Sequence, residues 1–183
     1  IIQFNKKINL ISKQVVKDAD ITQIYDCVLG AKMILPATQS ETIYDIGSGN
    51  GLPGIVMAIM APERQFKLVD VDERKMEFLK TVVSRLKLKN VIIVRDQFEN
   101  QRNIQCAVSR AFSSMAKSVK IGEALFLNQG VYFHFKGKNW ESEMAEGATL
   151  CRNQQLPWVF EKVQDYEYPP LLPLRTIVVA KKL

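Results

Sequence analysis

Histidine is almost missing from this chain: His134 is the only one in 183 residues. That excludes a histidine-rich metal centre and leaves a Ser-His-Asp triad poorly founded. Cysteine is scarce as well. Cys27, Cys106 and Cys151 are odd in number and far apart, with neither disulfide-framework nor zinc spacing. A reducing, cytoplasmic setting without a bound metal is therefore expected. No apolar run approaches the roughly 20 residues that cross a bilayer. No basic segment followed by an apolar one suggests a secretory leader, so no membrane partner is expected. The chain opens at Ile1 rather than at a methionine, as it would after loss or omission of a leading segment. Repeats, low-complexity segments and linkers are also missing.

What is present is ordinary for a folded globular chain, with 47% hydrophobic and 24% charged residues. The length suits one domain over residues 1–183, made of an N-terminal helical and basic segment (1–38) and a core (39–183). A monomer is expected. The formal net charge of +6 favours a polyanionic partner.

Along the chain, apolar positions between Asp18 and Leu35 fit a helix that Pro36 ends. Strand and helix signals then alternate. "TIYDIG" predicts a strand and Pro53–Met60 a helix; "QFKLVD" a strand and Glu73–Leu88 a helix; "NVIIVR" and "QCAVSR" two further strands. A helix over 114–127, a strand "GVYFHFKG" and a polar helix from Asn139 to Cys151 follow. "WVFEKVQDYEY" and "RTIVVAKK", joined through "PPLLP", predict a closing antiparallel hairpin. The β-α repeats imply parallel pairing with right-handed crossovers, hence a three-layer α/β, Rossmann-like sheet.

The stretch "YDIGSGNGLPGI" carries Gly47, Gly49, Gly51 and Gly54 within eight residues. Glycines there allow a sharp turn after the first strand and bring bare backbone N–H groups against a ligand. No G-K-[ST] follows, which excludes a P-loop. A literal G-x-G-x-x-G runs from Gly49 to Gly54, the dinucleotide pattern, and Asp70 lies at the expected distance to hold ribose hydroxyls. Asp45 separates the readings. A pyrophosphate repels a nearby carboxylate, whereas the ammonium and sulfonium of S-adenosyl-L-methionine attract one. With Asp45 leading, Gly47, Ser48, Gly49 and Gly51 give the D-x-G-x-G-x-G order of methyltransferases, and the Gly49–Gly54 match becomes a coincidence of register. Nicotinamide stays open as the alternative, as does a tight turn without a ligand. Asp72 and Glu73 suit a helix cap. Phe98 and Glu99 fall where such a sheet holds an adenine, though Glu99 fits a plain surface carboxylate equally well.

"DIGSGNGLPGI", "KLVD", "SRAF" and "FKG", with "FNKKINL" near the start, resemble in order and combination the GidB/RsmG family of small-subunit ribosomal RNA methyltransferases. The likeness runs from Phe4 to about Lys181. It implies a class I fold that transfers a methyl group from S-adenosyl-L-methionine to N7 of a guanine, with ribosomal RNA or its particle as partner. By residue match it puts Gly47, Leu52, Phe98, Glu99 and Arg110 at the cofactor and Lys136 on the substrate side. The chain departs from the family pattern at Gln23, where a histidine is usual before the retained Asp26, and at Gln97, where an arginine is common.

Guanine N7 has a free lone pair at neutral pH, so its methylation needs alignment rather than a base. Arg110 is the cation expected at the junction of cofactor and substrate, the alternative being a structural partner of a carboxylate. Lys136 also suits a phosphate contact. His134 and Phe112 fit packed core residues, Phe112 alternatively a stacking platform for a flipped base. Lys6, Lys7, Lys13, Lys87, Lys89, Arg95 and Arg102 are candidates for an RNA-facing surface or a solvated face. A different methyl acceptor on this fold, and a catalytically weakened S-adenosylmethionine- or RNA-binding homologue, are the competing functions.

Overall fold

A computed structural model of the chain describes residues 1–5, 7–12, 16–168 and 172–183. Seven strands form one sheet in the order β3-β2-β1-β4-β5-β7-β6. They are β1 (Thr42–Ile46), β2 (Gln65–Asp70), β3 (Val91–Arg95), β4 (Ile104–Arg110), β5 (Phe126–Lys136), β6 (Trp158–Tyr168) and β7 (Leu172–Lys182). β1 to β5 pair in parallel, and β7 runs antiparallel to both β5 and β6. β1, β2 and β4 sit inside the sheet and bury Ile43, Ile46, Phe66, Leu68, Cys106 and Val108. A strand covered on both faces needs such near-continuous apolar runs.

The helices are α1 (Ile2–Asn5), α2 (Asp26–Ile34), α3 (Gly54–Met60), α4 (Glu73–Leu86), α5 (Met115–Gly122) and α6 (Trp140–Gln154). A π-helical turn, Asp20–Tyr25, leads into α2. One face of the sheet packs Ala31, Ile34, Met57 and Ala58 from α2 and α3, with Met76 and Leu79 of α4 alongside Leu68. The other face packs Val119, Phe126, Tyr132, Cys151 and Trp158 beneath α5 and α6. Asp72 caps α4, as expected, by accepting from the N–H groups of Arg74 and Lys75.

The structure corrects the expected boundaries in three places. The fifth helix ends at Gly122 rather than near Leu127, and β5 starts at Phe126 rather than Gly130. The β4–β5 register shifts between Ile104 and Cys106, close to Gln129 with its positive φ of 61°. This irregularity interrupts the strand pattern of β5, so that Phe126 and Leu127 read as the end of the preceding helix. The closing strand extends back to Leu172; residues 169–171 of the "PPLLP" joint lie outside the described residues. The topology brings the C-terminal ends of β1, β2, β4 and β5 to one edge, where an open α/β sheet holds its ligands.

Candidate active site

The loop after β1 turns on three left-handed glycines, Gly47, Gly49 and Gly51, with φ of 68°, 51° and 84°. Two are also sterically required. A methyl group on Gly47 would lie 2.4 Å from Phe112 Cδ2, and one on Gly51 would lie 2.6 Å from Leu79 Cδ2. Gly49 has open space around it, so only its backbone conformation demands glycine.

The N–H groups of this loop point inward, contrary to the expectation that they face a ligand. Gly47 and Ser48 both donate to the Val69 carbonyl, at 2.9 and 3.0 Å, and Gly51 donates to Ser48 at 2.7 Å. Gly49 N–H donates to Asp70 Oδ2 at 2.8 Å. Ser48 Oγ donates to the Asp45 carbonyl at 2.7 Å, which ties the turn to β1. Asp70, on the end of β2, is thus a template for the loop, and its Oδ1 accepts from Asp72 N–H at 3.0 Å.

Asp45 lies beneath the loop, 1% exposed. Its Oδ2 accepts the Gly54 N–H at 2.9 Å and so caps α3. Its Oδ1 has no hydrogen-bond partner among the described residues. Burial pushes the carboxyl up to about 7; the Gly54 N–H and Arg110 pull it back, and Asp70 adds a smaller upward push. Gly54 is required here too, since a methyl group would come 2.2 Å from Leu68 and 2.6 Å from Asp45 Oδ2. The Gly49–Gly54 spacing is therefore no coincidence of register. Its last glycine lets α3 pack on β1 and β2, a need dinucleotide-binding sheets share.

Beside the loop opens a cavity of about 740 Å³, in the size range of small-ligand sites. Gly47, Ser48, Gly49, Leu52, Arg110 and Lys136 line it, as do Gln23, Asp26, Phe112, Glu143 and Arg175. Arg110 leaves β4 just before Ala111, whose φ of 56° is costly for a residue with a Cβ. The guanidinium, 15% exposed, reaches Asp26 Oδ2 at 3.4 Å. It donates to Gln23 Oε1 at 2.6 Å. Asp26 Oδ1 in turn accepts from the Tyr166 hydroxyl at 2.8 Å. Arg110 therefore pairs a carboxylate, the structural alternative weighed for it, and also lines the cavity. Gln23, one of the two departures from the family pattern, is one of its two partners.

Lys136, at the end of β5, donates to the Ser113 carbonyl at 3.1 Å and to Glu143 Oε2 at 2.6 Å. His134 is fully buried, with Nδ1 3.3 Å from Ser109 Oγ. Burial, and to a lesser degree Lys136, hold its imidazole down at about 3. It is a packed histidine. Phe112 is not a core residue: it is 36% exposed and stands edge-on to Phe98, with centroids 5.9 Å apart. Phe98 is the buried one, among Phe126 and Tyr132, and Glu99 is exposed. Asp45, Gly51, Asp70, Phe98 and Glu99 stand outside the cavity lining.

Of the basic surface candidates, Lys7, Lys87 and Lys89 are exposed. Arg95 pairs with Glu73 at 3.1 Å, and Arg102 donates to the carbonyls of Glu99 and Gln101. Lys6 and Lys13 lie outside the described residues. Sequence reasoning missed Glu143 and Arg175. Neither sits in a motif, and only the pairing of β5 with β7 and the packing of α6 bring them to the cavity.

The family model for GidB, rRNA small subunit methyltransferase G, matches residues 1–165. The chain belongs to this family. Among GidB relatives, the ribosomal RNA small subunit methyltransferase G 3 of Bdellovibrio bacteriovorus is 32% identical over 173 residues, covering 92% of this chain and 76% of that protein. The ribosomal RNA small subunit methyltransferase G of Photobacterium profundum is 34% identical over 185 residues, covering 98% and 84%. The fold matches a solved S-adenosylmethionine-dependent O-methyltransferase from Thermotoga maritima with a TM-score of 0.64 at 15% identity, covering 92% of this chain and 70% of that one. At that identity the likeness speaks to the fold alone. Among the described residues no helix is long and apolar enough to cross a membrane, and no cluster of His, Cys, Asp and Glu could hold a metal ion.

Proposed function

We propose that the cavity binds S-adenosylmethionine and directs its methyl group to N7 of a guanine in small-subunit ribosomal RNA. One observation carries the cofactor assignment: the glycine loop turns its N–H groups inward over a buried carboxylate, Asp45, that has an unpartnered oxygen. An anionic pyrophosphate needs outward donors and an uncapped helix end. Here those donors are engaged, and Asp45 caps α3. A ligand carrying positive charge suits the site instead. The left-handed turn at Gly49, with open space around it, lets the ligand approach the backbone closely, and Asp70 stands at the strand end where ribose hydroxyls are held.

S-adenosylmethionine supplies an electrophilic methyl group on a sulfonium; the chain's residues align the acceptor. The carboxylates that line the cavity are both tied. Asp26 holds Arg110 and Tyr166, and Glu143 holds Lys136. His134 is buried and stays neutral. No free base therefore lines the cavity among the described residues, which favours an acceptor that is nucleophilic without deprotonation, as guanine N7 is. Phe112 offers an exposed ring at the cavity for stacking an extruded base. The family relationship and the net charge of +6 favour ribosomal RNA over a small acceptor. That substrate implies a cytoplasmic protein.

Titration calorimetry of the purified chain with S-adenosylhomocysteine and, separately, NAD tests the cofactor. S-adenosylhomocysteine is expected to bind and NAD not. Binding of NAD alone would overturn the assignment.

A further inference from the structure

Two of the cavity's cations are neutralised in place and two are not. Arg110 is paired with Asp26 and Lys136 with Glu143, whereas the side chains of Lys75 and Arg175 make no hydrogen bond or ion pair among the described residues. The Lys136 pair is the tighter: its N–O distance is 2.6 Å and the lysine side chain is only 10% exposed. An ammonium group has three N–H donors and no acceptor. The Ser113 carbonyl takes one and Glu143 a second. One donor remains, on a side chain that lines the cavity.

We infer that Glu143 makes Lys136 a donor to a neutral acceptor on the target base, such as a guanine ring nitrogen or carbonyl oxygen, rather than a phosphate contact. The inference rests on reading the cavity as the RNA methyl-transfer site. A phosphate on the remaining N–H would stand beside the Glu143 carboxylate, and the two anions would repel in a partly buried place where water screens poorly. A neutral carbonyl or ring nitrogen meets no such penalty and still gains a charge-assisted hydrogen bond. Glu143 and the Ser113 carbonyl also pin a flexible four-carbon side chain, so the third donor keeps one direction. Glu143 is thus a positioning residue that sets what Lys136 can recognise. Arg175 keeps its full charge and remains free for backbone phosphate.

Salt dependence separates the two roles, because losing a phosphate contact flattens the slope of log affinity against log salt by roughly 0.7 to 0.9, and losing a base contact does not. The test measures binding of the full chain to 30S particles from a strain lacking the methyltransferase, across a potassium chloride series, together with methyl transfer. The double variant Lys136→Gln/Glu143→Gln preserves local net charge. It is expected to keep the wild-type slope while methyl transfer falls about 10- to 100-fold, the weight of a good base contact. A slope flattened by one phosphate contact overturns the proposal, and so does unchanged transfer. Glu143→Gln alone, which removes a charge that is 31% exposed, is expected to steepen the slope as Lys136 becomes free to hold a phosphate. An unchanged slope there also overturns it, even if the double variant fails to fold. A wild-type chain that binds particles yet transfers no methyl group would instead overturn the functional reading, with the slopes still readable.

Discussion

Asp45 shows how one side chain sets the chemistry of the loop. Its Oδ2 holds the Gly54 N–H while Oδ1 is buried without a partner. In the unfolded chain this carboxyl ionises in the ordinary range, near 3.9; in the fold it is pushed up to about 7. The folded state therefore binds more protons than the unfolded one between those limits, so Asp45 lowers stability as pH rises through that window. A cationic ligand reverses the balance, since it favours the ionised carboxylate. Affinity for S-adenosylmethionine is therefore expected to rise between pH 5 and pH 7 and to level off above. Calorimetry across pH should show the rise in the wild type and a flat, weaker profile in Asp45→Asn. Equal profiles for the two would remove Asp45 from the cofactor site. Asp45→Asn should also melt higher than the wild type at pH 8 without ligand, because it relieves a buried charge.

Among the elements, the tie between the turn into α2, β4 and β6 matters most. Tyr166 on β6 donates to Asp26 on α2, and Asp26 with Gln23 holds Arg110 at the end of β4. Tyr166→Phe removes one donor and leaves a buried carboxylate oxygen unsatisfied, at a cost of about 1–3 kcal/mol. Chemical denaturation should read that loss, and methyl transfer should fall with it as Arg110 loses a fixed partner. Full activity with lowered stability would show that the tie is structural only. Much of this level was legible in the sequence. The strands β1, β2 and β6 and the cap at Asp72 follow from local patterns of apolar residues and one acid. The start of β5 was not legible, because its irregular register lies in the pairing between β4 and β5. The candidate site divides the same way. Gly47, Ser48, Gly49, Leu52, Arg110 and Lys136 stand in motifs and line the cavity, while Glu143 and Arg175 reach it only through tertiary packing. Phe112 reads as core from composition, yet it stands 36% exposed, next to the left-handed Ala111.

For the whole molecule, the pieces agree on a cationic cofactor and a neutral nucleophile. The glycine loop, Asp45 and the tied carboxylates would suit many methyl acceptors, and membership of the GidB family narrows them to small-subunit ribosomal RNA. The most direct measurement incubates the purified chain with 30S particles from a strain lacking the methyltransferase and methyl-labelled S-adenosylmethionine, then digests the RNA to nucleosides. The label is expected in N7-methylguanosine of the small-subunit RNA. Label in a different nucleoside, or none at all, would contradict the account.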